Sequence, residues 1–364
     1  MVPIIIIGGT GVFGRFIVEE LQKSEVDFQI TVAARRKSEF MKYFKSEEDL
    51  KFQHIDLKDE SSIQKALQGK FLCIMAAGPF QGFSNDLVSI AAKEGVHYLD
   101  ICDDPGYIEK IHAVKPALDT SQKIFITGLS SLPGISLPLA ALIYERFDHV
   151  NSIDIGLFIG NNNQKGRGAV FSALDNLNQE VTVYKQGLKH KIPGWSHKQA
   201  FAFPEPIGKV PGYSFSSADP MLFAKHFQFN SLNVKVAFEW AIARWSFSWF
   251  KFLAGLGLHK FVKAMVSVMF PLFALAHNIG SERGAVTVTI KGENQKITKA
   301  FSVSIYADKK SQRMASLPCV IAAEAIAKNE CSKTGLLALH EWMEPKTFFA
   351  KLEEKGMQLI IEEL

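Results

Sequence analysis

Between residues 1 and about 130, short β-branched apolar runs alternate with longer amphipathic stretches. The runs are Ile4–Ile7, Gln29–Ala33, Phe52–Ile55, Phe71–Ala76, His97–Ile101 and Ile124–Thr127. Between them Phe13–Gln22, Lys37–Lys45, Ser61–Leu67, Asn85–Lys93 and Ile108–Leu118 carry helical periodicity. Apolar runs separated by amphipathic helices are the pattern of strands joined by right-handed crossovers. The expected fold is α/β, with six strands in an N-terminal doubly wound parallel sheet. Beyond Leu132-Pro133-Gly134 the pattern changes. Ile153–Ile159, Val181–Tyr184, Val234–Phe238, Val286–Ile290 and Phe301–Tyr306 alternate with turn-rich loops, which predicts a second, α+β domain on a mainly antiparallel sheet. Gly187–Pro220, dense in Gly, Pro, Trp, Phe and His, reads as a long functional or interfacial loop. Helical periodicity returns from Pro318 to Leu364, clearest over Leu336–Trp342 and Lys346–Lys355. The expected division is 1–130, 131–317 and a helical segment over 318–364.

Composition narrows the partners. A chain of 364 residues exceeds the size at which one core stops growing, about 250 residues, so two domains are expected. With 47% hydrophobic and 21% charged residues it is a folding chain rather than a disordered one. Lys and Arg number 41 against 37 Asp and Glu, a net +4 too weak for a nucleic-acid footprint, so a small-molecule substrate is expected. Cys73, Cys102, Cys319 and Cys331 sit singly, with no CxxC pair and no His at zinc spacing. That pattern points to reduced thiols, a cytoplasmic setting and no metal site. The start Met1-Val2-Pro3 lacks the features of an export signal. Trp240–Ala276 is the most apolar region, but its longest uncharged run, Ala264–Ala276, falls short of the roughly 20 residues a bilayer span needs. Buried helices or a homodimer face, an acyl-binding surface, and a basic amphipathic stretch in peripheral lipid contact all stay open for it.

The chemistry concentrates in the first turn. Gly8-Gly9-Thr10-Gly11-Val12-Phe13-Gly14 holds a G-x-G-x-x-G at positions 9, 11 and 14, directly after a strand and directly before a helix. In that context Gly9 is expected to make the sharp turn, Gly11 to clear space for a pyrophosphate, and Gly14 to let the helix pack close on the sheet. The first amides of the helix would bind the phosphates, with the Thr10 hydroxyl completing the turn. A site that prefers NAD places an acid at the end of the second strand. Here Ala33-Ala34-Arg35-Arg36 stands there, and a guanidinium at Arg35 or Arg36 suits a 2′-phosphate, so NADP(H) is the expected cofactor. Asp56, just past the third strand, reads either as an adenine contact or as a turn-capping residue.

Strand four ends in Ala76-Ala77-Gly78-Pro79-Phe80, small residues suited to backbone contact with the nicotinamide end. Strand five ends in Asp100-Ile101-Cys102-Asp103-Asp104-Pro105, whose carboxylates either position substrate and relay a proton or cap the following helix.

Together with His97–Cys102 and Gly128…Pro133-Gly134, these segments resemble the saccharopine dehydrogenase (reductase)-like family of NADP-binding proteins. The likeness continues through Gly166-Arg167-Gly168, Trp195…Phe203-Pro204-Glu205-Pro206, Gly284-Ala285-Val286 and Trp342…Gly356, nearly the whole chain. The resemblance implies a Rossmann domain, a discontinuous second domain hosting the substrate, and a C-terminal segment packing back toward the first. The family also includes reductases of lipid-linked double bonds, a branch that suits the apolar stretch from Trp240 to Phe273.

The reading drawn from the sequence is an NADP(H)-dependent oxidoreductase moving hydride to or from a C=N, C=O or activated C=C bond of an amino-acid-derived or acyl substrate, in the cleft between the domains. Gly8 to Gly14, Arg35, Arg36, Asp56, Ala77, Gly78 and Pro79 are its cofactor residues, and Asp103, Asp104, Tyr107 and Arg167 its candidates for proton relay or substrate anchoring. A short-chain dehydrogenase is disfavoured because the Tyr-x-x-x-Lys spacing at Tyr306…Lys310 falls far from the fifth strand, and no G-x-S-x-G elbow supports a hydrolase. The rivals are a non-catalytic NADP(H)-binding sensor, a lipid-surface-associated protein, and an NADP-retaining epimerase.

Overall fold

The computed structural model describes residues 1–45, 49–163, 174, 177, 179–258, 260–262, 264–268 and 280–364. The chain divides into two compact units: Met1–Gly134 with Arg313–Phe348, and Ile135–Gln312 with Phe349–Leu364.

In the first unit, strands β1 (Val2–Ile7), β2 (Phe28–Ala34), β3 (Lys51–His54), β4 (Leu72–Met75), β5 (His97–Asp100) and β6 (Ile124–Ile126) alternate with helices α1 (Val12–Gln22), α2 (Lys37–Phe44), α3 (Glu60–Leu67), α4 (Asp86–Lys93), α5 (Pro105–Ala113) and α6 (Lys115–Thr120). Strand β15 (Gly335–Leu336) adds a seventh member, and the sheet runs β15-β6-β5-β4-β1-β2-β3 with every pair parallel. Ile4 to Ile7 and Leu72 to Met75 are buried almost completely, which is why both strands read as unbroken apolar runs. The crossovers wind outward in both directions from β1 and β4, making the gap between these two strands the topological switch point. Helix α10 (Leu317–Ala327) returns late in the sequence to rest against α1 and β5. It is buried on nearly every face, as its apolar sequence requires.

The second unit is built on a nine-stranded mixed sheet from β7 (His149–Ile159), β8 (Glu180–Lys185), β9 (Leu188–Pro193), β10 (Gln199–Ala202), β11 (Lys209–Ser214), β12 (Ser231–Phe238), β13 (Gly284–Asn294), β14 (Ile297–Ala307) and β16 (Gln358–Glu363). Only β12 with β7 is parallel; the remaining pairs are antiparallel. Alternation puts Ile153, Ile155, Val234, Val236, Val286, Val288, Val303 and Ile305 on one buried face, and α7 (Ser136–Tyr144) lies against β13 and β14. Helices α8 (Asp219–His226) and α9 (Ala241–Gly255) also belong to this unit, and α11 (Pro345–Glu354) leads into β16.

Four local expectations are corrected. The segment expected as one helix over Ile108–Leu118 is two, α5 and α6, because a helix rarely continues through the residue before a proline, here Lys115 before Pro116. Gly187–Pro220 is not one long loop: nearly half of it is strand, contributing β9, β10 and β11. Leu336–Trp342 is not helical: it opens in β15, whose amide at Gly335 donates to Lys123 O, so sheet pairing overrides local periodicity. The C-terminal residues end as a strand on the edge of β14.

Candidate coenzyme-binding site

The site is a stretch of backbone at the switch point. The chain leaves β1, turns at Gly8 and enters α1 at Val12. Gly8 carries the turn, with φ +80°, and its amide donates to Ala33 O at 2.9 Å. A Cβ there would also sit 2.5 Å from Ala77 N, so a side chain is excluded by both conformation and space. The turn is therefore placed one residue earlier than Gly9, where the motif suggests it. Gly14 has a related role at a different place: a Cβ on it would run into Gly8 O and come within 2.7 Å of Gly9 Cα, so what Gly14 lets α1 approach is the turn itself. Gly11 caps the helix with no side-chain hydrogen bond, and no acidic residue occupies the first turn. Amides at a helix start have no intrahelical acceptor, and the helix dipole adds partial positive charge, so this end is made for an anion.

Cationic side chains flank it. Arg35 and Arg36 follow β2 directly, both exposed. Arg36 pairs with Glu39 at 3.1 Å, whereas among the described residues Arg35 takes part in no ion pair. Arg15, which the sequence reading passes over, donates to Thr10 O at 3.3 Å and lies 4.1 Å over the ring of Tyr43. Its signal was its place directly after Gly14, and its partner on α2 is visible only in three dimensions.

Ala77 abuts Gly8, and Gly78 and Pro79 are exposed beside it, joined by a cis peptide bond. Asp56 serves its own turn: Oδ1 accepts from Lys58 N at 3.0 Å, and its amide donates to Ser62 Oγ at 3.0 Å. Asp104 caps α5, its Oδ1 accepting from Tyr107 N at 2.8 Å. Tyr107 itself is buried, its hydroxyl 2.9 Å from that of Tyr98, and burial pushes both phenols up. Such a phenol is not placed for exchange with solvent, so the proton-relay expectation does not suit it. Asp103 is exposed at the edge of the sheet. Arg167 lies outside the described residues.

Asp100 is wholly buried and holds the same edge together. Its Oδ1 accepts from Cys102 N at 3.0 Å and Gly128 N at 2.8 Å, and its carbonyl accepts from Leu129 N at 2.8 Å. Burial raises its carboxyl above the ordinary range. It ties the ends of β5 and β6 to each other, a role in the fold that is neither proton relay nor helix capping.

Comparisons with known proteins agree with this geometry. Residues 4–124 match the family described as the saccharopine dehydrogenase NADP binding domain. A mouse saccharopine dehydrogenase-like oxidoreductase is 21% identical over 159 residues, covering 39% of this chain and 37% of the mouse protein. Among solved structures, homospermidine synthase from Legionella pneumophila in complex with NAD aligns with a TM-score of 0.66 at 11% identity, covering 100% of this chain and 91% of its own. An engineered D-amino acid dehydrogenase bound to NADP+ aligns at 0.51 and 13% identity, covering 98% and 99%. These structures establish the fold: a parallel sheet and a second, mixed-sheet domain. The glycine turn, the parallel strand order and the matched residues agree that the first domain has the architecture of a nicotinamide-dinucleotide-binding domain and is similar to the saccharopine dehydrogenase NADP binding domain.

Proposed function

We propose that the protein is an NADP(H)-dependent oxidoreductase that moves a hydride to or from a C=N, C=O or activated C=C bond of a small molecule. The observation that carries this reading is the uncapped start of α1 at the switch point, with the exposed guanidinium of Arg35 at the end of the neighbouring strand. The residues fit the coenzyme: the amides of Val12, Phe13 and Gly14 would hold pyrophosphate, and Arg35 with Arg36 the 2′-phosphate. Gly78 and Pro79 would border the nicotinamide end. Bound there, the coenzyme supplies or accepts a hydride at its nicotinamide ring. Asp103 is the side chain we assign to proton transfer, as the exposed carboxylate at the end of β5, while Asp104 and Asp100 fix the backbone around it. The four cysteines are free, three of them buried, which suits a reducing, cytoplasmic setting.

Fluorescence titration of NADPH and NADH against wild type and Arg35→Ala tests the assignment. Loss of one charge-assisted pair costs about 1.5–3 kcal/mol, so NADPH affinity should fall roughly ten- to a hundred-fold while NADH affinity holds. Equal affinity of the wild type for the two nucleotides overturns the 2′-phosphate assignment.

A further inference from the structure

Helix α9 is apolar on two opposite faces. One face is spent inside the second unit, where Phe247 lies 5.0 Å from the ring of Trp195, Phe250 is buried, and Trp195 stacks on Tyr213 at 4.4 Å. The other is open. Ile242, Trp245, Trp249, Phe252 and Leu256 follow one another at steps of three and four, which places them on a single stripe. Every one is exposed, Trp245 at 69% and Phe252 at 63%. A folded protein rarely leaves a contiguous row of Trp, Phe, Ile and Leu in water without a partner for it.

Charge identifies the partner. No Asp or Glu occurs between Glu239 and Glu282, and the charged residues in that stretch are Arg244, Lys251, Lys260 and Lys263. Arg244 and Lys251 are turned to the protein: Arg244 donates to the carbonyls of Phe238 and Glu239, and Lys251 to those of Gly194 and Trp195. These bonds anchor the helix from its inner flank and leave the outer stripe to Trp, Phe, Ile and Leu, with Lys260 exposed just beyond the helix end. A second copy meeting this face through the same stretch brings no acid to pair with Lys260. An anionic lipid headgroup layer meets both requirements, receiving the apolar stripe at the acyl boundary and the exposed Lys260 at the phosphates. Trp is the residue best suited to that depth. No helix among the described residues is long and apolar enough to cross a membrane, so this contact is in the plane of the surface.

We infer that α9 docks the protein on anionic phospholipid surfaces through Trp245, Trp249 and Phe252. The inference is independent of the coenzyme assignment. The experiment is flotation of the full chain with vesicles of phosphatidylcholine, with and without phosphatidylserine, for wild type, Trp245→Ser and the combined Trp245→Ser, Trp249→Ser, Phe252→Ser variant. Circular dichroism and NADPH titration serve as folding controls. Wild type should float with the phosphatidylserine vesicles and release as salt rises, with its tryptophan emission shifted to the blue. The single variant should lower recovery several-fold and the combined variant at least tenfold, with NADPH affinity unchanged. Wild type left in the bottom fraction with both vesicle types overturns the inference, as does equal flotation of the variants. Equal recovery on phosphatidylcholine alone overturns the anionic preference. A wild-type dimer by light scattering that the combined variant dissociates, without flotation, assigns the face to a second copy instead.

Discussion

The two units use different materials for their working surfaces. In the first, the edge between β1 and β4 is backbone: Gly8 turns the chain, Gly14 brings α1 against the turn, and amides are the donors of the proposed site. In the second, the surface of α9 is side chain throughout, and its backbone is ordinary helix. A site made of backbone tolerates almost no change where it is tight and almost any change elsewhere. A surface made of side chains loses affinity in increments, one residue at a time.

The sharpest way to break this contrast is Gly14→Val. The added carbons meet Gly8 O and Gly9 Cα, backbone atoms that cannot step aside, so NADPH binding should weaken by about 100-fold or more, with a stability loss on the order of 1–3 kcal/mol. Retained NADPH binding in a fluorescence titration would show that the turn is not the cradle.

Buried ionisable groups extend the contrast to pH. In the second unit Asp219 is fully buried, bonded to the hydroxyls of Ser136 and Ser217, and burial pushes its carboxyl up to about 6. Folded Asp219 therefore holds its proton more tightly than the unfolded chain does. Its contribution is complete below about 3.8 and is lost as pH rises through about 6. Asp219→Asn should remove about 2–3 kcal/mol of that dependence, read as a change between pH 4 and pH 7 in the urea-unfolding difference from wild type. In the first unit the sign reverses. His97 is buried against Phe71, and its Nδ1 accepts from Ile124 N at 3.0 Å, an arrangement that needs the neutral ring. Burial, helped by Lys123, lowers it to about 4. Stability from His97 is present above about 6.5 and lost as pH falls toward 4. His97→Gln should flatten that limb by about 1–2 kcal/mol, the ring being partly reached by solvent. Between pH 4 and 6 the two units thus respond in opposite directions, and parallel responses would refute the assignment of these two groups.

The smallest expected effect is at Arg36. Its pairing with Glu39 is exposed, so Arg36→Ala should change stability by less than about 1 kcal/mol by thermal melting. Its effect on NADPH affinity should fall well short of that of Arg35→Ala, since Arg36 already has a partner.

How much of this was legible follows from the same distinction. Buried parallel strands such as Ile4–Ile7 must be apolar at every position, so the first sheet could be read off as runs, and a glycine that no other residue can replace leaves its spacing in the sequence. Even there the spacing located the turn at Gly9 when Gly8 makes it, because a motif records which residues are small and not which has positive φ. The mainly antiparallel second sheet was legible in its central strands and not at Gly187–Pro220, whose glycines and prolines suggest loop while sheet pairing makes strands of the residues between many of them. Carboxylates were least legible. Asp100, Asp103 and Asp104 are near neighbours in the sequence, yet one is a buried tie, one is exposed and one is a helix cap. Arg15 escaped notice because its partner, Tyr43, stands on another element.

Helix α10 sets an order of assembly. The first unit begins the chain, but the face of β5 that α10 covers, and the carbonyl of Phe13 that Ser316 holds at 3.2 Å, wait for a segment translated only after Ile135–Gln312. At translation rates of about 5–20 residues per second that interval lasts roughly 10–35 s. Throughout it the nascent first unit lacks a wall of its core, so all of the second unit but its last strand is made before the first can close, and a stalled message ending before Arg313 releases an exposed apolar sheet to the chaperones.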